Sequence, residues 1–289
     1  MQTSPVPAFL TLIRWKVSAA VTLSAFAAMV VYTGRFSLLQ VFPVLGIFLL
    51  ASGASALNQY QERETDALME RTKSRPIPSG NIQAAHALII SLALLFPGAL
   101  FLASFSSLTC LISGILNVCW YNGLYTWLKK KTAFAVVPGA LTGAIPVYMG
   151  WTALGGSIAD PEVNLLAFFI FIWQMPHFWL LMLAWRDDYR KAGLPSMTDQ
   201  FTTVQLKSVI LGWLVASAGS SFLLLNFGLI HHPVIQIIII LMNILILLLF
   251  MSRFFFSKRE AFRELFISIN FFLVMVLLFI IADVMIHPH

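Results

Sequence analysis

The chain has 289 residues, of which 59% are hydrophobic and only 10% are charged, and its mean hydropathy is +0.86. A soluble domain carries about 25% charged residues, so this chain has too few polar groups to cover a surface in water. The composition excludes a soluble globular protein and predicts a single integral membrane domain over residues 1–289. The N-terminal residues do not follow the pattern of a cleavable signal peptide, so we expect the first apolar segment to remain as a span.

Nine apolar segments, each long enough to cross a hydrocarbon layer of about 30 Å as a helix, follow one another along the chain. They lie at approximately 12–33, 38–57, 83–104, 107–127, 133–154, 163–184, 207–228, 233–252 and 264–284. With the N-terminus in the cytoplasm, 17 of the 18 Lys and Arg residues fall in cytoplasmic regions, and Arg35 is the exception. Short cytoplasmic loops collect Lys and Arg. The sequence therefore predicts nine transmembrane helices, a cytoplasmic N-terminus and an external C-terminus. The net charge of +6 follows from this topology and indicates no nucleic-acid partner.

Charged residues gather after the second segment, in the stretch NQYQERETDALMERTKSRPIPSG at 58–80. Asn58, Glu62 and Asp66 are spaced four residues apart, so on a helix that continues past the membrane they share one face. Amide and carboxylate oxygens suit a hard cation, and Mg²⁺ takes one or two carboxylates while leaving positions for phosphate and water. These three residues are therefore candidate metal ligands and candidate catalytic residues.

Three cations follow the acidic face, at Arg71, Lys73 and Arg75, and the turn RPIPSG comes next. Metal ligands followed by cations are the arrangement expected for a diphosphate, because the metal bridges phosphate oxygens while Arg and Lys neutralise the remaining charge. The spacing also fits a solvated loop whose basic residues only set the topology. The position of Asn58 at the end of the span, in register with both acids, favours the metal–diphosphate interpretation.

The fourth segment ends in YNGLYTWLKKKT at 121–132. Lys129 and Lys130 are candidate diphosphate ligands, and Tyr121 and Tyr125, one helical turn apart, are candidates to face an allylic cation. The same residues also fit an aromatic belt and a cytoplasmic lysine cluster.

The sixth segment, FIWQMPHFWLLMLAWRDDYRKAG, carries a proline and a histidine at membrane depth. Pro176 frees backbone carbonyls within the helix, and His177 is a candidate substrate-binding residue because ionisable groups inside a membrane are commonly functional. A histidine bonded to a freed carbonyl is the alternative. Asp187 and Asp188 close the span on the predicted cytoplasmic side. Facing the first acidic motif, they would complete a clamp for two Mg²⁺ ions, so both are candidate metal ligands and candidate catalytic residues.

These motifs resemble the UbiA superfamily of intramembrane prenyltransferases, and within it the branch of protoheme IX farnesyltransferases. The resemblance is carried by DALMERTKSRPIPSG, YTWLKKKT, GAIPVYMGW, WQMPHFW and RDDYRKAG, and it covers roughly residues 50 to 200. It implies an all-α, UbiA-type bundle in a bacterial inner membrane, with farnesyl diphosphate held through Mg²⁺ by the acidic motifs. Glu62 stands where the wider superfamily usually has Asp.

The resemblance further implies that a vinyl group of heme b attacks the farnesyl group and that water completes a hydroxyethylfarnesyl group, giving heme O. In this scheme His177 would face the porphyrin or its iron. The expected partners are farnesyl diphosphate, heme b and membrane lipid, with heme A synthase or heme-copper oxidase assembly receiving the product. Two alternatives stay open at this point. One is a related prenyltransferase acting on an aromatic acid or quinone precursor, and the other is a non-catalytic heme-handling membrane protein.

Overall fold

The computed structural model describes residues 5–256 and 261–287 of the chain. Within these ranges the protein is helical and contains no β-strand. Its α-helices are α1 (Pro5–Leu12), α2 (Trp15–Thr33), α3 (Val41–Leu68), α4 (Ala84–Phe105), α5 (Leu108–Val118), α6 (Thr126–Leu128), α7 (Val136–Thr152), α8 (Pro161–Ala184), α9 (Arg186–Lys191), α10 (Thr203–Asn226), α11 (Pro233–Met251) and α12 (Phe262–Ile286).

Eight helical segments in the described part of the chain are long and apolar enough to cross a membrane. They correspond to eight of the nine predicted spans. The predicted span at 107–127 is built from α5, a π-helical turn at Cys119–Tyr125 and the short α6. A π turn replaces the i→i+4 hydrogen bonds by i→i+5 bonds, so the segment is not one regular helix. The all-α membrane bundle is confirmed, and the count of nine transmembrane helices is approximate.

The second span continues as helix α3 to Leu68, about eleven residues or 16 Å beyond its predicted membrane end near residue 57. The sequence predicted this continuation from the four-residue spacing of its polar side chains. The structure confirms it, because Asn58, Glu62 and Asp66 all lie on α3 and all are buried.

Small residues let the central helices approach one another closely. A Cβ atom added to Gly150 of α7 would overlap the carbonyl oxygen of Ala25 on α2, so these two backbones are in direct contact. Helix α8 packs against α7, α10 and α12. The indole Nε1 of Trp173 on α8 donates a hydrogen bond of 3.0 Å to the carbonyl of Ile269 on α12. These contacts hold α7, α8 and α12 around the interior of the bundle.

The segments 69–83, 129–132 and 185–202 meet at one end of the bundle, which we call the basic end. The Nζ atom of Lys191 lies 3.6 Å from the Glu70 carboxylate, which ties the loop after α3 to α9. The polar end of α3 lies beneath these loops, so the basic end is where the predicted site residues come together.

Candidate active site

Three oxygen-bearing side chains form a buried stripe on α3. Asn58, Glu62 and Asp66 are 2%, 4% and 3% exposed. Their four-residue spacing places them on one helical face, as the sequence predicted. Buried carboxylates require compensating charge, so the partners of Glu62 and Asp66 show what this part of the protein is built to hold.

Each buried carboxylate of the stripe is paired with one cation. Lys129, directly after α6, forms an ion pair with Glu62. Arg75, in the loop after α3, donates from Nη1 to Asp66 Oδ2 at 2.6 Å. Both cations are candidate diphosphate ligands from the sequence, and the structure places both directly at the acids. Two carboxylates and two cations therefore alternate within one buried cluster.

The π-helical turn is hydrogen-bonded to α3. Asn58 donates to Thr126 Oγ1 at 3.0 Å, and Thr126 donates to the carbonyl of Tyr121 at 2.8 Å. Gln61 and Asn122 bond to each other in both directions, at 3.0 and 3.1 Å. This second link could not be predicted from the sequence, because neither its partners nor the π geometry follows from local spacing. The turn is thus fixed in register with the acidic stripe.

Two tyrosines of the π turn lie beside the charged cluster. The rings of Tyr121 and Tyr125 are stacked, with centroids 5.9 Å apart and an interplanar angle of 16°. Tyr125 also packs against Phe178 of α8, at 6.2 Å between centroids. A Cβ atom at Gly139 of α7 would lie 2.6 Å from the Tyr125 ring, so only glycine leaves room for it there. The two predicted aromatic residues therefore form one face between the charged cluster and the interior.

Arg14 is a member of the cluster that the sequence did not suggest. It lies between α1 and α2, and its Nη1 donates to the hydroxyl of Tyr121 at 3.2 Å. Its backbone is left-handed, with φ 47° and ψ 50°, a conformation that is uncommon for residues other than glycine. From the sequence, Arg14 was predicted only to be one of the cytoplasmic basic residues that orient the spans. The available signal was an arginine interrupting an apolar segment, where a charge needs a partner.

The second acidic motif is divided between two environments. Asp188 is buried, and its Oδ1 and Oδ2 accept the backbone N–H groups of Glu70 and Arg71 at 3.1 and 3.0 Å. Asp187 has an 84% exposed side chain beside Arg186. A carboxylate has about four acceptor positions, so Asp188 retains lone pairs after binding the loop. The structure shows Asp188 as an anchor for the loop, and the predicted metal ligation by Asp187 and Asp188 stays a prediction.

Replacing Asp188 by alanine is expected to loosen the loop at 69–83, because two charge-assisted hydrogen bonds are lost, each worth roughly 1.5–3 kcal/mol. Limited proteolysis of the purified protein should then cut this loop faster than in the unmodified protein. Asp187→Ala is the matched control, since its side chain does not hold the loop. Equal cleavage rates in the two variants would show that Asp188 does not anchor the loop.

The remaining predicted cations differ in their surroundings. The guanidinium of Arg71 lies 5.3 Å from the Trp185 ring centroid. Its Nε is buried and has no hydrogen-bond partner in the described part of the chain. Burial lowers the pKa of Arg71 from its usual value. Lys73 is paired with Glu70 at 2.5 Å on the surface, and Lys130 is exposed. Arg71 is therefore a half-buried cation whose Nε is free to donate, whereas Lys73 and Lys130 lie at the periphery of the basic end.

His177 lies in an aromatic interior on α8. Its ring is 5.0 Å from Trp173, 5.4 Å from Phe178 and 4.8 Å from Phe266 of α12, measured between centroids. Nδ1 of His177 is buried and has no hydrogen-bond partner among the residues that the structure describes. The alternative in which this nitrogen binds a carbonyl freed by Pro176 is therefore not what the structure shows.

A family model described as the UbiA prenyltransferase family matches residues 18–276 of the chain. The chain belongs to the UbiA prenyltransferase family.

The chain is 42% identical over 184 residues to the protoheme IX farnesyltransferase of Geobacter sulfurreducens, a match covering 64% of this chain and 68% of that protein. It is 43% identical over 184 residues to the protoheme IX farnesyltransferase of Nitratidesulfovibrio vulgaris strain DP4, covering 64% of each chain. The matches thus span about two thirds of these relatives. As a UbiA-family member with such relatives, the protein is a prenyltransferase.

Solved structures of UbiA homologues show the same fold. The homologue from Archaeoglobus fulgidus, solved with DMAPP and Mg²⁺ bound, superposes with a TM-score of 0.71 at 14% identity, covering 96% of this chain and 99% of that one. The apo homologue from Aeropyrum pernix K1 gives a TM-score of 0.72 at 16% identity, covering 94% of this chain and 98% of that one. The predicted UbiA-type bundle is confirmed, and the protein is a multi-pass integral membrane protein.

The acidic stripe fits a hard divalent cation that is shared with a phosphate ligand. Among the described residues, no group of three or more His, Cys, Asp and Glu side chains is arranged to enclose a metal ion. Glu62 and Asp66 instead supply two carboxylates one turn apart, with the amide of Asn58 beyond them. Mg²⁺ is commonly bound by one or two carboxylates together with substrate phosphates and water, and this donor set matches that pattern.

Proposed function

We propose that the protein transfers a farnesyl group from farnesyl diphosphate to a vinyl group of heme b, giving heme O. The observation that carries the diphosphate half of this proposal is the buried cluster of Glu62, Asp66, Lys129 and Arg75. The acceptor half is supported by the names of the relatives that are about 40% identical and by the aromatic interior around His177.

Asn58, Glu62 and Asp66 would hold Mg²⁺, and Asp187 and Asp188 would approach it from α9. The bound ion would neutralise charge on the diphosphate as the bond to the farnesyl carbon breaks. The basic residues around the stripe also support anion binding at the basic end. Arg71 has an unsatisfied buried Nε, and Arg75 and Lys129 can exchange a carboxylate for a phosphate oxygen without leaving the cluster. Lys73 and Lys130 would add longer-range attraction from the periphery.

Tyr121 and Tyr125 would face the allylic carbon once the diphosphate departs. Their stacked rings lie between the charged cluster and the interior, where the farnesyl chain would continue. The face of an aromatic ring stabilises a cation by about 2 kcal/mol or more in a desolvated site.

Tyr189 lines the same small cleft as Tyr125 and Lys129. Burial raises the pKa of Tyr189, so it would remain a neutral hydrogen-bond donor near the leaving diphosphate.

His177 would lie on the acceptor side, facing the porphyrin. The product would pass to heme A synthase or to heme-copper oxidase assembly. The distribution of Lys and Arg supports a cytoplasmic N-terminus and an external C-terminus, with the basic end open to the cytoplasm. The bacterial origin of the relatives supports an inner membrane.

The decisive experiment is mass spectrometry of the hemes extracted from cells with and without the protein. A farnesylated heme is expected only when the protein is present. Membranes should then be offered farnesyl diphosphate and Mg²⁺ with heme b or, separately, with an aromatic acid. Prenylation of the aromatic acid alone would replace the proposed acceptor. Co-purification of heme without any prenyl transfer, abolished in His177→Ala, would indicate a heme-handling protein instead.

A further inference from the structure

The amide of Gln174 lies in a notch that only glycine can provide. A Cβ atom added to Gly143 on α7 would overlap the Nε2 atom of Gln174 on α8. The neighbouring notch on α7, at Gly139, holds the ring of Tyr125. Gly139 and Gly143 are one helical turn apart, about 6 Å along α7. Gln174 therefore lies one turn deeper in the bundle than Tyr125, on the side away from the diphosphate cluster.

Gln174 contacts the interior of the bundle, because its carboxamide lies against Gly143 of α7. Gln174, His177, Phe178 and Trp185 are all half-buried and fall on neighbouring positions of one helical stripe. Their contacts are with inward elements: Gln174 with α7, Phe178 with the π turn, and His177 and Trp185 with Phe266 of α12. These side chains thus lie among α7, α8, α12 and the π turn.

Two polar groups on this stripe have no hydrogen-bond partner within residues 5–256 and 261–287. The side-chain hydrogen bonds of the described residues include none to the carboxamide of Gln174, although this group lies at membrane depth. One turn along, Nδ1 of His177 is buried and also unpaired. Polar groups in such a place are normally hydrogen-bonded to protein or to water, and a water molecule in a buried site has two to four polar partners. A carboxamide and an imidazole nitrogen at i and i+3 are spaced to share one water molecule.

The surroundings of the His177 ring favour an unprotonated Nδ1. Asn270 on α12 lies near this ring. The Nδ2 of Asn270 is already used, because it donates to the carbonyl of Phe266 at 2.5 Å, so its Oδ1 is the group left to face the imidazole. An acceptor at that position binds the ring N–H, which leaves the other ring nitrogen as an acceptor.

We propose that Gln174 and His177 hold and activate the water molecule that completes the reaction, an inference that rests on the proposed farnesylation of heme b. Attack of the vinyl π electrons on the farnesyl carbon forms a C–C bond, breaks the C–O bond to diphosphate and leaves a positive charge on the vinyl carbon next to the pyrrole. A lone pair of the water oxygen forms the new C–O bond, and one water proton passes to Nδ1 of His177. The carboxamide of Gln174 orients the water. No oxidant or reductant is required.

The alternative fate of the same cation gives a direct readout. If water is not in place, the cation loses a proton from the adjacent CH₂ group and yields an alkenyl heme that is lighter than the hydroxylated product by one water. The ratio of hydroxylated to alkenyl product therefore reports the water site, whereas the total product reports prenyl transfer. Substitution of a residue that has only a structural role would change the total amount of product and leave the ratio of hydroxylated to alkenyl product unchanged.

The test uses the purified full-length protein with farnesyl diphosphate, heme b and Mg²⁺, and the two products are quantified by mass spectrometry. Gln174→Leu, which removes the carboxamide, is expected to lower the ratio roughly tenfold, equivalent to about 1.4 kcal/mol. Gly143→Ala keeps Gln174 but fills its notch, and should lower the ratio in the same direction. Asn226→Leu, at the exposed end of α10, is the control and should match the unmodified protein.

The outcomes separate the two proposals. If the unmodified protein gives no farnesylated heme, the proposed function fails and this inference fails with it. If it gives hydroxylated product and both Gln174→Leu and Gly143→Ala keep the original ratio, only the water site is overturned. If Gln174→Leu does not fold, Gly143→Ala still tests the water site, because alanine is favourable in a helix and this variant should fold. A heme spectrum that loses an axial imidazole in His177→Ala would assign His177 to the iron and would likewise overturn the water site.

Discussion

Replacing Asp66 by asparagine is expected to reduce prenyl transfer at least about 100-fold, since even groups that only support a metal ligand change metal affinity 10–100-fold. Asp66 is 3% exposed and lies between Glu62 and Arg75. Asparagine keeps the size of the side chain and its hydrogen-bonding oxygen but removes the negative charge that a divalent cation requires. The measurement is the rate of product formation in membranes supplied with farnesyl diphosphate, an acceptor and Mg²⁺.

The matched control for this change is Glu64→Gln. Glu64 lies on the same helix but has an 86% exposed side chain and pairs with Arg63 on the surface, so its charge should not matter for the reaction. A second measurement separates binding from folding. Farnesyl diphosphate with Mg²⁺ should raise the unfolding temperature of the unmodified protein, because a ligand that binds only the folded state stabilises it, and this shift should vanish in Asp66→Asn. Full activity in Asp66→Asn would show that the charge of Asp66 is not needed to hold a divalent cation.

Local spacing made much of the fold and the acidic stripe predictable. The four-residue interval from Asn58 to Asp66 specifies one helical face wherever the chain is helical, and α3 does run through it. The distribution of Lys and Arg placed the loops that meet at the basic end on one side of the membrane. Both features depend on helical periodicity and on the cost of charge in lipid, and both can be read without knowing the tertiary structure.

The pairing within the site could not be predicted, because it depends on contacts between residues far apart in the chain. Lys129 pairs with Glu62 from a position shortly after the π turn, and local spacing in the sequence does not indicate such a turn. The hydrogen bonds from the backbone of Glu70 and Arg71 to Asp188 also join residues far apart in the chain, and the predicted metal ligation by Asp188 stays a prediction. Arg14 joins the cluster through a left-handed backbone that its sequence neighbours do not indicate.

Replacing Lys129 by methionine is expected to lower both stability and activity. Glu62 is 4% exposed, and without Lys129 its carboxylate would remain buried without its paired cation. Breaking a buried ion pair by removing one partner costs about 3–5 kcal/mol, a large part of the 5–15 kcal/mol that typically stabilises a folded protein. The unfolding transition of the purified protein in detergent should therefore shift markedly. Lys131→Met is the control, since Lys131 is exposed on the same loop.

The double variant Glu62→Gln with Lys129→Met separates the structural role of this pair from its role in the reaction. Removing both charges leaves no buried unpaired ion, so most of the lost stability should return, and the two changes should be strongly non-additive in a double-mutant cycle. Activity should not return, because the metal would lose one of its two carboxylates on α3 and the diphosphate would lose a cation. Recovery of activity together with stability would mean that Glu62 and Lys129 serve only to hold the π turn against α3. Additive losses of stability would mean that the two side chains do not interact in the folded protein.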